Sequence, residues 1–221
     1  AVTWQARAAD TGELRWTHTL DDVSPRETPL VPVALGDETL ALRLDRAAGP
    51  PEAGCPHTTL GDLADPQPCG LRAEPRRITA LGAADGQCVW QLTYAASDPC
   101  AQALDPALER LSVVTFGEGE VELYLTEPGG LHRLAPATGA VLHSAATESP
   151  GGGAVVVHPD GEQRVRAGVG PLEVWDPALA TATPAADPGR LAYTAALTGP
   201  AAVWLTRGET LWRASEQGGG L

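Results

Sequence analysis

The chain has 221 residues and a formal charge of −13, from 15 basic and 28 acidic side chains. Nucleic acid and anionic membrane surfaces are excluded as partners, because phosphate binding needs clustered cations. No apolar run approaches the ~20 residues that span a bilayer as a helix, and the length suits one large domain or two small ones.

Lys, Asn and Met are absent, and Ile78 and Phe116 are single occurrences. These types share AT-rich codons, which points to a GC-rich, bacterial gene. Every cationic side chain that stays charged is Arg, so no side-chain amine exists for Schiff-base chemistry. The chain opens at Ala1, which fits a removed targeting segment or part of a longer chain.

In chain order, Val2–Ala8 and Glu13–Thr19 read as strands joined by a turn carrying Gly12. Leu30–Leu35 and Thr39–Leu44 flank the hairpin turn Gly36-Asp37. Residues 46–77 form a Pro-, Gly- and Cys-rich insertion. A second Gly-bearing turn leads into Cys88-Val89-Trp90. Pro106–Leu111 allows one helical turn at most. Leu111–Phe116 and Glu120–Leu125 flank Gly117-Glu118-Gly119, and a third turn around Gly139 follows. Ala154–His158 and Gln163–Ala167 flank Pro159-Asp160-Gly161; Arg190–Ala196 and Ala202–Leu205 flank Gly199-Pro200. Short alternating or β-branched runs with such turn chemistry predict an all-β chain.

The three turns repeat. Ala8 to Trp16, Gly82 to Trp90 and Leu134 to His143 each read as a strand end, a tight turn with Gly and a new apolar strand. A second register, Leu131-His132-Arg133-Leu134, Leu172-Glu173-Val174-Trp175 and Leu211-Trp212-Arg213-Ala214, recurs at gaps of 41 and 39 residues. Four antiparallel strands per forty-odd residues is the unit of a β-propeller. Blades are expected over about 21–97, 98–147, 148–186 and 187–216, within one propeller domain of about four blades spanning 1–221. The ring is either closed with four blades or a segment of a larger one, and Glu13–Thr19 is a candidate to complete the last sheet.

The turn pattern Ala-x-Asp-x-x-Thr-Gly-x-x-x-Trp resembles the repeat of the PQQ-like (quinoprotein-like) β-propeller family. The likeness rests on Ala8–Trp16, Ala84–Trp90 and Ala135–His143. It implies that Thr-Gly turns between the last two strands of a blade, and that the Trp docks on the next blade. Trp16 and Trp90 inherit that docking role, with His143 as a degenerate third case. Catalytic relatives hold a quinone and Ca²⁺ with acidic and Asn ligands; this chain has no Asn, so no cofactor is expected.

Cys55, Cys69, Cys88 and Cys100 are even in number and admit three disulfide pairings. Sequence-neighbour pairing, Cys55–Cys69 with Cys88–Cys100, is the expectation, and disulfides imply an oxidising compartment. Zinc is disfavoured, because no pair has knuckle spacing and His57 stands alone beside Cys55. No metal site is expected. Nor does any catalytic residue emerge: no nucleophile elbow exists, and His132 and His143 read as packing residues. The Glu118/Glu120/Glu122 alternation reads as a solvated strand face, as does Asp21-Asp22. Gly151-Gly152-Gly153 and Gly218-Gly219-Gly220 read as linkers.

The expected function is a non-catalytic, exported scaffold or interaction subunit of a bacterial envelope or cell-surface assembly. It would bind another protein through loops of one face, with the 46–77 insertion contributing. It would work in the periplasm, at the outer membrane or outside the cell. The alternatives are a degenerate quinoprotein-type enzyme fragment and a secreted glycan-binding propeller.

Overall fold

The computed structural model describes residues 2–20, 30–47, 49–61, 75–97, 100, 109–116, 120–147, 153–157, 162–168, 173–184, 195–199, 202–207 and 210–214. Cys69, Asp21-Asp22, His158 and Pro200 lie outside them, as do 62–74 of the insertion and the 106–108 part of the expected helical turn. So do the turns 117–119 and 159–161 and the glycines 151, 152 and 218–220.

Eighteen strands are described, in five sheets. β1 (Val2–Arg7) and β2 (Leu14–Leu20) form a two-stranded sheet of their own, rather than supplying a strand to the last sheet. β3 (Leu30–Leu35), β4 (Glu38–Arg46), β6 (Arg76–Gly82) and β7 (Cys88–Tyr94) follow in antiparallel order. β5 (His57–Leu60) adds to the outer edge of β7 in parallel. β8 (Arg110–Phe116), β9 (Glu120–Glu127), β10 (Gly130–Leu134) and β11 (Val141–Ala146) make the next sheet. β12 (Gly153–Val157), β13 (Arg164–Gly168), β14 (Glu173–Trp175) and β15 (Ala182–Pro184) make another. β16 (Ala195–Gly199), β17 (Ala202–Arg207) and β18 (Thr210–Ala214) make a three-stranded one. Successive antiparallel sheets of about four strands are the architecture of a β-propeller.

Two compact units are distinguishable. One comprises Ala1–Asp65, Glu74–Ala95 and the turn Ala135–Ala140; the other comprises Pro66–Ala73, Ala96–Leu134 and Val141–Leu221.

In the first unit, Leu35 and Glu38 pair across Gly36-Asp37. Gly36 has φ +60°, which a two-residue hairpin loop of this kind demands. One face of the large sheet is apolar: Leu42, Ala80 and Trp90 lie in one row, and Leu44, Ile78 and Leu92 in the next. All six are at most 2% exposed. Each buried Leu or Ile contributes about 1.5–3 kcal/mol.

In the second unit, Val114, Tyr124, Leu131, Val155, Trp175 and Leu179 form one buried cluster that joins the β8–β11 and β12–β15 sheets. Polar links join the same sheets. Val155 N–H donates to Ser112 Oγ at 3.0 Å, and Thr126 Oγ1 donates to Gly153 O at 2.8 Å.

Candidate functional site

The repeated turn is identical at the backbone level in three places. Gly12 N–H bonds to Ala8 O, Gly86 N–H to Gly82 O and Gly139 N–H to Ala135 O, each at 2.8 Å. All three glycines have φ near +70°, the left-handed region that penalises a Cβ. The adjoining pairs carry a register shift at Ala6/Arg7, Ala80/Leu81 and Arg133/Leu134. A fourth copy spans Asp176–Thr181, closed by Asp176 N–H to Thr181 O at 3.3 Å. There the positive φ falls on the buried Leu179. Asp176 caps this turn with bonds from Ala178, Ala180 and Thr181 N–H. The Thr181 hydroxyl bond, ahead of those from the backbone, lowers its carboxyl pKa.

The turns receive tryptophans. Trp16 Nε1 donates to Ala83 O at 2.9 Å, and its ring lies where a Cβ on Gly86 would stand. Trp90 Nε1 donates to Pro136 O at 2.8 Å, and a Cβ on Gly139 would lie 2.3 Å from its ring. Each indole therefore bonds the second residue of a turn and stacks on that turn's glycine. The third repeat is built differently. Pro177 O, the equivalent carbonyl, accepts from Arg133 NH1 at 3.0 Å. Arg133 is the cross-strand partner of His143, the residue at the tryptophan's place. Ala180 stands where the other turns have glycine. With Arg133 as the donor, no ring stacks there and the glycine is dispensable.

The disulfide pairing corrects the expectation. Cys55 is bonded to Cys88, with Cα atoms 5.7 Å apart. Cys100 is also disulfide-bonded. The physical reason is β5: its parallel pairing with β7 carries Cys55, two residues before His57, to the start of β7. The bond encloses a sequence separation of 33 residues. In the chain-entropy model that is worth about 4 kcal/mol, against about 3 for the shorter loops expected. Peptide mapping without reductant is expected to show the 55–88 pair, and Cys55→Ser is expected to lower stability by about 2–4 kcal/mol in denaturant titration.

The described part of the insertion is a strap over the polar face of the large sheet. Arg43, Thr79, Gln91 and His57 form one row across it. Glu52 N–H donates to Gln91 Oε1 at 2.9 Å, and Gln91 N–H to Pro56 O at 2.8 Å. His57 Nε2 meets Thr93 Oγ1 at 2.9 Å. Arg77 donates to the carbonyls of Gly49 and Pro50. These bonds satisfy groups that would otherwise be buried unpaired. The strap therefore belongs to the packing of the sheet. Cys55 and His57 are used in it, as a disulfide and a hydroxyl contact, and no cluster of three metal-ligating side chains occurs among the described residues.

At the row's other end, Arg43 lies 5.9 Å from the Trp4 ring centroid and pairs with Asp45. Its NH1 lies 2.7 Å from His18 Nε2. Since Arg can only donate, Nε2 is the acceptor and the imidazole is neutral. Burial, then the Arg43 charge, lowers the His18 pKa from its ordinary 6.5. The sign follows: the unfolded chain takes up the proton first. Stability from this contact is complete above the ordinary value of 6.5 and declines as pH falls below it. His18→Gln is expected to flatten that part of a plot of melting temperature against pH.

Near these turns, an open groove of about 660 Å³ has Arg7 and Arg15 on the wall from β1 and β2. Asp37, Glu38 and Asp85 line the opposite wall.

The second unit holds two buried ionic constellations that the sequence did not disclose. Glu122 is 4% exposed. It pairs with Arg164 Nε, with Arg133 NH2 at 2.7 Å and with the Tyr124 hydroxyl at 2.9 Å. The expectation of a solvated face therefore fails at Glu122, although Glu120 is exposed. Alternation placed both glutamates on one face, but β13 covers only the inner one. Burial, then the Glu122 charge, pushes the Tyr124 phenol well up. The second constellation links Ser144 Oγ to His132 Nδ1 at 2.9 Å and His132 Nε2 to Glu127 Oε1 at 3.1 Å. Ser97 donates to both Glu127 oxygens, from its N–H at 2.7 Å and its hydroxyl at 2.6 Å. A Cβ on Gly130 would lie 2.0 Å from Glu127 Oε1. The group thus clamps the tight Glu127–Gly130 hairpin, a structural role. A fingerprint in the sequence exists only for its glycines, since the partners come together across strands.

Together the sheets and the repeated turn-to-tryptophan contact define the class: a β-propeller. Among solved structures, BamB from Moraxella catarrhalis is similar, with a TM-score of 0.54 and 16% sequence identity. The match covers 99% of this chain and 53% of that one, so the chain spans about half its length. A protein of unknown function from Bacteroides caccae matches at a TM-score of 0.43 and 15% identity, over 96% of this chain and 85% of the other. No family model and no curated protein matches by sequence. No helix among the described residues is long and apolar enough to cross a membrane.

Proposed function

We propose that the chain is an exported propeller of the PQQ-like repeat class, acting without catalysis as a scaffold that binds another protein in a bacterial envelope or cell-surface assembly. The observation that carries this reading is the repeated joint. Trp16 on Gly86 and Trp90 on Gly139 make the same contact twice, which stiffens the frame that presents the loops. Buried ionisable groups support it, because Glu122, Glu127, His132 and Arg164 engage one another or their own sheets. The disulfides favour an oxidising compartment.

Native mass spectrometry of the protein from its own source, without reductant, tests the reading. A stoichiometric complex with another polypeptide is expected. A monomer carrying a small-molecule adduct would overturn it in favour of a ligand-binding or enzymatic propeller.

A further inference from the structure

We infer that the outer edge of β11 is a docking edge, taking an extended segment of another protein as a fifth strand parallel to it. This deepens the scaffold reading and rests on it. The protein itself supplies the precedent. β7 and β11 each follow a repeat turn, and aligning Gly86 with Gly139 places Gln91 at the position of Ser144. The outer edge of β7 carries a parallel fifth strand, β5, with His57 beside Gln91. Gln91 N–H reaches out to Pro56 O at 2.8 Å.

β11 has the same geometry and, among the described residues, no fifth strand. Among the described residues it pairs with β10 alone. Thr147 N–H bonds inward to Gly129 O at 3.0 Å. Alternation along an antiparallel strand then turns the N–H and C=O groups of Leu142, Ser144 and Ala146 outward. Ser144 N–H is thus the counterpart of the Gln91 N–H that β5 engages.

Among the described residues, this edge carries none of the usual protections. Proteins commonly blunt exposed edges with charge, proline or a very short strand. Val141-Leu142-His143-Ser144-Ala145-Ala146 has neither Pro nor a permanent charge, and Leu142 is 49% exposed. By contrast, the outer strand β15 is three residues long and ends in Pro184. The occupant that fits is an extended protein segment. Main-chain hydrogen bonds to the outward groups would give affinity. Alternate residues would face Leu142 with an apolar side chain and Ser144 with a small or polar one, as His57 stands beside Gln91 at the edge of β7.

The test combines amide exchange with photo-crosslinking on the full chain in its native source. A photoreactive residue at Leu142 is expected to capture one polypeptide, with crosslinks mapping to a contiguous segment of it. A residue at Leu14 serves as the control. In the complex, the Ser144 and Ala146 amides are expected to exchange about tenfold more slowly than in the free chain. Ser144→Pro removes the outward N–H together with the hydroxyl that meets His132 Nδ1; proline is tolerated at an edge, and capture is expected to fall about tenfold. Ser144→Ala keeps the N–H and is expected to retain capture. If Ser144→Pro misfolds, Leu142→Glu tests the same edge by charge.

Capture that survives these variants, amides already protected in the free chain, or crosslinks joining two copies of this chain would each overturn the inference while leaving the scaffold reading intact. Absence of any captured protein, with only monomer in the native spectrum, would overturn both.

Discussion

Trp90→Ala is expected to lower stability by about 3–5 kcal/mol, the range for deleting a buried aromatic side chain. Trp90 is 1% exposed. It sits in the apolar row with Leu42 and Ala80 while its Nε1 bonds to Pro136 O. The change leaves a cavity and an unpaired carbonyl together. Gly139→Ala attacks the same joint from the other side. The new Cβ would lie 2.3 Å from the indole, and the backbone has φ +67°. Ring and turn cannot both keep their places, so a loss of about 2–4 kcal/mol is expected. A double-mutant cycle separates the two causes. In the Trp90→Ala background the clash vanishes, and Gly139→Ala should cost only the roughly 1 kcal/mol of its backbone conformation. Denaturant unfolding followed by circular dichroism reads this out. Additive losses would show that ring and turn do not share a joint.

Glu122→Ala is the second large effect, about 3–5 kcal/mol, because it strands a buried cation. Arg164 is 2% exposed, and its Nε faces Glu122. The Tyr124 hydroxyl loses its acceptor at the same time. Arg133 has a side chain 24% exposed and reaches Pro177 O as well; Arg133→Ala should therefore cost less, about 1–2 kcal/mol. The ordering is diagnostic. Equal costs for Arg133→Ala and Glu122→Ala would mean that water already reaches the pair. Replacing Glu122 and Arg164 together with Leu and Met should recover most of the loss, since an apolar pair of similar volume leaves no stranded charge.

Some of this was legible before the structure. The hairpin at Gly36-Asp37 is local chemistry: a glycine able to take positive φ, flanked by strands whose side chains alternate. The spacing of Gly12, Gly86 and Gly139 marked the recurring turn. Other features were not readable. β5 is four residues inside a Pro- and Cys-rich stretch, and its pattern carries no signal of a parallel partner about thirty residues ahead. Glu122 and Glu120 look alike in sequence, yet only one faces a neighbouring sheet. The fourth turn lacks the glycine that flags the other three; Leu179 adopts the left-handed conformation there, held by its place in the buried cluster.

Composition and local pattern were enough for the strand-and-turn rhythm and the all-β class. Each depends on composition or on residues within a few positions of one another. The Cys55–Cys88 bond, the strap on the polar face, the replacement of a tryptophan joint by Arg133 and the ion pairs of Glu122 came instead from packing. Each is a contact between strands far apart in the chain. Such a contact forms because neighbouring sheets must bury their faces against each other, and which residues then meet is a property of that packing.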